Sequence, residues 1–191
     1  QGHFDTFAAE DHVDVVLSSC RAMCRRFHAE REHAETVLTL ARQLFDQTKE
    51  LHGLGGRARV LLEAAALLHD VGVAVNNDGH HKHSQYLIQS SELVGLSDEE
   101  RHLVGLLARY HRKAPPTRDH EEYMALRRRE RTLVERLAAL LRLADALDRQ
   151  HANVVRGVSV KIREDSVELR PMLAGDPGTR LTLEAKAVEE K

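Results

Sequence analysis

Five ionisable residues in this chain stand where helical periodicity calls for hydrophobic ones. His33 is in line with Val37, Leu40 and Leu44; His69 follows Leu62 and Ala65; His111 follows Val104 and Leu107; Asp145 follows Leu137 and Leu141. Asp70 adjoins His69 at the end of a segment made otherwise of Leu and Ala. Residues three, four and seven apart share a helix face, so each of these groups is aimed at the core. A single histidine on an apolar stripe is ordinarily a core residue with one hydrogen-bond partner. Five inward groups together, two of them carboxylates, need a common explanation, because an unpaired buried carboxylate is very costly. A divalent ion held by imidazoles and carboxylates satisfies them all at once, and neutral His with ionised Asp suits Mn, Fe, Co, Ni or Zn. The competing arrangement is a buried His–Asp ion-pair network without metal.

The rest of the chain fits a helical host for such a cluster. Of 191 residues, 42% are hydrophobic but only 4% aromatic, and Trp is absent. The core must therefore be Leu, Ala and Val, which favour helices. Helices are expected from about Asp11 to Arg26, Glu32 to Lys49, Arg57 to Val71, His83 to Leu93, Ser97 to Arg112 and Thr132 to Gln150. The Arg57–Val71 segment is apolar nearly all round and should be buried, with Gly72 ending it as a left-handed cap. Ser97 and Glu100 form a capping-box pattern, and Pro115-Pro116 stops the following helix. From residue 155 the pattern becomes alternating: Val158–Ile162 and Val167–Arg170 resemble a hairpin, and Leu181–Ala185 is a third candidate strand. The fold class is mainly α, a helical domain over residues 1–154 with a small β-rich segment over 155–191.

Charge and cysteine usage narrow the function. Charged residues make up 30% of the chain and the formal net charge is −2, so no global basic field argues for nucleic acid. Arg127-Arg128-Arg129 is flanked by Glu121, Glu122, Glu130 and Glu135, and is expected to be a solvated or dimer-facing surface. Arg142 and Arg149 are expected to pair with Asp148 or Glu135 across helical turns. No apolar run has the length of a membrane span, and the polar, acidic N-terminus lacks signal-peptide character. Gln1 in place of Met predicts a processed or truncated piece. Cys20 and Cys24 are four apart on a helix, a poor geometry for a disulfide, so reduced thiols and a cytoplasmic location are expected.

His33, then His69-Asp70, then Asp145 within Leu143-Ala144-Asp145-Ala146-Leu147-Asp148, resembles the H…HD…D signature of the HD superfamily of metal-dependent phosphohydrolases. Two further segments resemble the C-terminal region of the exopolyphosphatase/guanosine pentaphosphate phosphatase (Ppx/GppA) family: His81-Lys82-His83-Ser84-Gln85-Tyr86-Leu87-Ile88 and Arg109-Tyr110-His111-Arg112-Lys113. The resemblance covers roughly Glu30 to Gln150.

That resemblance implies an HD-type helical bundle with a divalent-metal site, holding one or two of Mn, Fe, Ni, Co, Zn or Mg. The implied ligands are His33, His69, Asp70, His83, His111 and Asp145, with Asp70 also the catalytic or bridging carboxylate. His83 is taken as the ligand of its segment; His80 and His81 are near enough to substitute for it and are not separated from it by spacing, with a surface loop as their favoured reading. Lys82, Arg109, Arg112 and Lys113 are the implied contacts to a phosphate-containing substrate or polyphosphate. Full members of the family begin with two actin-like lobes that carry the phosphate loops, and this sequence has no Gly-rich phosphate loop. The chain alone is thus expected to bind or act on polyphosphate or nucleotide phosphates at the HD site only. A non-catalytic polyphosphate-binding and dimerisation domain, working as a homodimer, is the alternative. Val71-Gly72-Val73 lacks the Lys that follows the HD pair in some two-metal phosphodiesterases, which counts against cyclic-dinucleotide hydrolysis.

Overall fold

A computed structural model describes residues 2–174, with side chains from His12 onward. Eight α-helices run α1 Gly2–Arg26, α2 Arg31–Gln47, α3 Lys49–His52, α4 Gly56–Leu68, α5 His80–Ser90, α6 Asp98–Tyr110, α7 Glu121–Ala125 and α8 Arg128–Leu147. A 3-10 turn, Val71–Ala74, separates α4 from α5, and an antiparallel hairpin, β1 Val155–Ile162 and β2 Val167–Leu173, follows α8. The mainly α reading with a short β appendage holds. The third candidate strand, Leu181–Ala185, falls outside the described residues. Among the described residues no helix is long and apolar enough to cross a membrane.

Helix α4 is the axis of the molecule. Every residue from Val60 to His69 is buried, as its all-round apolar sequence predicts. Helices α1, α2, α6 and α8 pack around it. The one buried charge of α4, Glu63, is held by the guanidinium groups of Arg42 and Arg59. Helix α6 starts at the expected capping box: Glu100 N–H donates to Ser97 Oγ at 3.2 Å, and Ser97 N–H donates to Glu100 Oε2 at 2.9 Å.

The hairpin is fastened to α2. Val158 N–H donates to Gln43 Oε1 at 2.7 Å, Val160 N–H donates to Gln47 Oε1 at 2.9 Å, and Gln47 Nε2 donates to the Val158 carbonyl at 2.9 Å. Two glutamines one helical turn apart thus satisfy the edge of β1 that β2 leaves open. A register shift between Val155 and Gly157 lets both Val155 and Val158 enter the core.

The expected role of Gly72 is corrected. Helix α4 closes on His69 with right-handed backbone angles, and Gly72 sits buried inside the 3-10 turn. A Cβ there would stand 2.3 Å from the His80 carbonyl oxygen and 2.3 Å from the Ser84 nitrogen. Glycine is required because the backbone of α5 presses onto it, a contact sealed by Gly72 N–H donating to Ser84 Oγ at 2.9 Å. This contact brings the start of α5 beside the end of α4.

Candidate metal and phosphate site

The end of α4 converges with three other elements. His69 caps α4, and Asp70 leaves the helix with φ −107° and ψ 6°, the bridge region in which functional side chains are often found. His33 comes from the first turn of α2, His111 from the end of α6, Asp145 from the last turn of α8, and His80 from the start of α5. His33, His69, His80 and His111 are all at most 3% exposed.

Asp70 lies between two pairs of imidazoles. Its Oδ2 is 3.9 Å from His33 Nε2 and 3.6 Å from His69 Nε2. Its Oδ1 is 3.1 Å from His80 Nε2 and 3.5 Å from His111 Nε2. Asp145 Oδ1 faces the first pair, 3.7 Å from His33 Nε2 and 3.8 Å from His69 Nε2. Three sets of ligand atoms lie close enough to share an ion: His33, His69 and Asp145; His69, Asp70 and His111; and His33, Asp70 and His151.

The hydrogen bonds of the outer ring nitrogens fix the tautomers. Nδ1 of His69 donates to the Ala66 carbonyl at 2.8 Å, Nδ1 of His111 to the Ala108 carbonyl at 2.6 Å, and Nδ1 of His80 to the Asn77 carbonyl at 2.9 Å. Nδ1 of His33 faces Asp148 Oδ2 at 2.9 Å. A carbonyl or carboxylate accepts only, so each Nδ1 carries the proton and each neutral ring turns a bare Nε2 inward. His33 Nε2 and His69 Nε2 are then 3.1 Å apart, lone pair against lone pair unless a cation or proton lies between them. Two ligands each about 2.1 Å from one ion stand about 3.0–3.4 Å apart, which this pair matches. Asp70 Oδ1 is buried without a hydrogen bond; His80 Nε2, 3.1 Å away, carries no proton to donate and itself faces Arg112 Nη1 at 3.2 Å. An orphaned carboxylate oxygen beside converging imidazole lone pairs fits a divalent ion.

The electrostatics agree with that demand for positive charge. Burial alone would raise the Asp70 carboxyl, but His69, His80 and His111 hold it well below the usual carboxylate range. His33 is raised: burial opposes its charging, and the hydrogen bond to Asp148 with the Asp70 and Asp145 carboxylates prevails. Asp70 likewise raises His80. Burial and then His69 push His111 down to about 3.

The cluster opens into a cavity of about 460 Å³ lined by Asp70, His80, His111, Asp145 and His151 with Arg112, Lys113, Arg142 and Arg149. Arg142 Nη1 donates to the Tyr110 carbonyl and Nη2 to the Lys113 carbonyl, both at 3.1 Å, and so fastens the turn after α6. The pairings expected of Arg142 and Arg149 are replaced: Asp148 serves His33, and Glu135 accepts from the Tyr123 hydroxyl. Lys82 and Arg109 line a neighbouring cavity of about 450 Å³ with Asp78, His81 and His120, and this cavity shares Arg112 and Lys113 with the first.

Of the residues expected from sequence, His33, His69, Asp70, His111 and Asp145 meet in one cluster, and Arg112 and Lys113 reach its rim. His83 is half-buried and lines neither cavity, while His80, expected on a surface loop, is buried against Asp70. The buried residues of α5 are His80, Ser84, Gln85 and Ile88, so His83 falls on the flank of that stripe. Asp148 and His151 were not expected at the site. His33 Nδ1 pairing with Asp148, one turn beyond Asp145, is readable from the repeated Ala-Asp/Leu-Asp pattern only once the orientation of α8 is known.

Comparison with known proteins gives the chain its relatives. Residues 15–185 match the family model for Ppx/GppA phosphatase, domain III. A guanosine-5'-triphosphate,3'-diphosphate pyrophosphatase of Aliivibrio fischeri is 30% identical over 183 residues, covering 92% of this chain and 35% of that protein. A protein of the same description from Pseudoalteromonas atlantica is 31% identical over 165 residues, covering 82% of this chain and 31% of its own length. One from Vibrio cholerae is 28% identical over 179 residues, covering 91% and 35%. The chain thus spans about a third of the curated relatives it matches. With a family model aligned across most of its length, the chain belongs to the Ppx/GppA phosphatase family, as its domain III.

Proposed function

We propose that this chain is an HD-type, divalent-metal-binding phosphohydrolase domain that acts on or binds polyphosphate or nucleotide phosphates. The observation that carries the reading is the set of inward Nε2 lone pairs around Asp70, with Asp145 beside them and a cationic rim above. His33, His69, Asp70 and Asp145 would hold the ion, with His80 and His111 on the far side of Asp70 as ligands for a second. The chemistry such an ion supplies when bound is water activation and polarisation of a phosphoryl oxygen. The protein's own part is to keep the imidazoles in one tautomer and Asp70 ionised. Arg112 and Lys113 supply positive charge at the mouth of the cavity, where phosphate oxygens would be steadied. The relatives are named for an activity on a guanosine carrying a 5'-triphosphate and a 3'-diphosphate, which makes nucleotide polyphosphates a natural ligand class to examine.

A non-catalytic binding role is the second reading, favoured by the adjoining basic cavity that extends the cationic surface past the cluster. The two separate on a panel of phosphomonoesters, nucleotides, guanosine polyphosphates and inorganic polyphosphate, assayed with Mn, Ni, Co and Mg. Turnover lost in Asp70→Ala supports the enzymatic reading. Tight, salt-sensitive polyphosphate binding without turnover, weakened by Arg112→Ala, supports the binding reading. Neither binding nor turnover with any member of the panel overturns both.

A further inference from the structure

Asp148 is fully buried at the C-terminal end of α8, and each of its oxygens answers a different donor. Oδ2 stands 2.9 Å from His33 Nδ1, and Oδ1 accepts from the Asn153 N–H at 2.8 Å. Among the described residues no lysine or arginine lies within ion-pair distance of it, and His33 is its one partner of that kind. A sealed carboxylate without positive charge nearby is costly. An ion on the far nitrogen of His33 supplies that charge across the ring.

His33 has acceptors on both sides. On the inner side its Nε2 faces His69 Nε2 at 3.1 Å, Asp145 Oδ1 at 3.7 Å and Asp70 Oδ2 at 3.9 Å. Each of these draws the ring proton to Nε2, where it would shut out an ion. Asp148 draws it the other way. Of the four rings around Asp70, His33 alone has a charged acceptor at Nδ1; those of His69, His80 and His111 are backbone carbonyls.

The same carboxylate sets the turn after α8. His151 has φ 53° and Asn153 has φ 51°, left-handed angles that a residue with a Cβ adopts at a cost. His151 N–H donates to the Asp148 carbonyl at 2.9 Å, and Thr36 Oγ1 donates to Asn153 Oδ1 at 2.6 Å, closing the turn against α2. The turn lays the His151 ring on His33, with centroids 3.6 Å apart and planes 6° from parallel. A parallel ring cannot aim its own lone pair at the same ion, so the part of His151 is to cover His33 and fix its plane.

We propose that Asp148 is a positioning residue for the divalent ion: its buried charge holds the His33 proton on Nδ1 and so keeps Nε2 bare for the metal. This rests on the metal reading given above. Asp148 touches no ion itself and acts through the imidazole.

The test uses Zn(II) alone as the probe, with isothermal titration for affinity and NMR of ¹⁵N-histidine protein for the ring protons. Asp148→Asn has one amide oxygen for two N–H donors and no charge. Its Zn(II) affinity should fall about tenfold or more. In the Zn(II)-loaded wild type, His33 should carry its proton on Nδ1 and resonate downfield of His69 and His111, whose acceptors are neutral; that downfield signal should be lost in Asp148→Asn. Thr36→Val, which cuts the same turn without touching Asp148, should lower the melting temperature and keep the wild-type affinity. Wild-type affinity in Asp148→Asn would overturn the assignment, as would an equal loss in Thr36→Val, which would make the role of Asp148 structural. If Asp148→Asn fails to fold, the wild-type spectrum carries the test, and a His33 ring protonated on Nε2 overturns it. A wild-type chain that binds no Zn(II) overturns the underlying metal reading instead.

Discussion

Replacing Gly72 by alanine adds one methyl group at the point where α5 meets the end of α4. The new Cβ would sit 2.3 Å from the His80 oxygen and 2.3 Å from the Ser84 nitrogen. Both are backbone atoms, so no rotamer relieves the contact, and α5 must move by about 1 Å to restore ordinary separation. Overpacking of this kind costs about 1–3 kcal/mol. The same movement pulls Ser84 Oγ from the buried Gly72 N–H, now bonded at 2.9 Å, for about 1–3 kcal/mol more. The sum, about 2–6 kcal/mol, corresponds to a melting point lower by roughly 4–24 °C in a chain of this size. His80, the first residue of α5, should be carried away from Asp70 with the helix. Thermal and urea unfolding by circular dichroism give the stability change. Gly56→Ala, whose Cβ meets nothing within 4 Å, is the matched control and should be neutral or slightly stabilising. A left-handed cap would tolerate asparagine better than alanine at position 72. Close backbone approach predicts that Gly72→Asn is the worse of the two. A Gly72→Ala protein within about 0.5 kcal/mol of wild type, the usual range of harmless surface changes, would refute the packing argument.

Two further outcomes follow from the charge environment. Burial and then neighbouring charges push the Cys20 thiol up to about 12 and the Cys24 thiol up to about 11, and Cys24 also donates to the Leu67 carbonyl. Both should resist alkylation at pH 8 in the native state and label fully in urea, and stoichiometric labelling of the folded protein within minutes would contradict this. Glu35, Asp46 and Glu100 are each lowered by the hydrogen bond from an arginine, Arg21, Arg59 and Arg57 respectively. A carboxylate with a depressed folded-state pKa contributes stability above its unfolded value, and that stability is lost as pH falls through the folded one. The urea midpoint should therefore hold near neutrality and decline below about pH 4, and Arg57→Gln should flatten the decline. An acid limb of equal steepness in that variant would contradict the assignment.

How much of this was legible in the sequence depended on where each residue sits on its helix. His33, His69, His111 and Asp145 betray themselves because a helix with a clear apolar stripe converts spacing into direction. His80 begins its helix after the left-handed Gly79, so no preceding turn supplies a phase. The signal was there in the His80, Ser84 and Ile88 spacing, but only a reading that starts α5 at residue 80, and not 83, can use it. Asp148 and His151 lie at and beyond the end of α8, where periodicity no longer gives direction. Gly72 shows a different limit. A glycine after a helical run has a local explanation, a cap, and a tertiary one, the approach of another backbone, and only the packed structure separates them. The hairpin was legible from alternation, but its fastening by Gln43 and Gln47 was not, since glutamine on an exposed helix face has no preferred partner.

The most direct measurement is elemental analysis of the purified chain under metal-replete conditions, wild type beside Asp70→Ala, with folding of both checked by circular dichroism. Asp70 lies between the two imidazole pairs, so its loss removes a charge and a ligand from both. The wild type should carry about one to two equivalents of divalent ion and the folded variant little, with a lower wild-type melting point after chelation. Equal, near-zero metal in the two proteins, with a melting point indifferent to chelator, would contradict it and leave an ion-pair network of histidine and aspartate in its place.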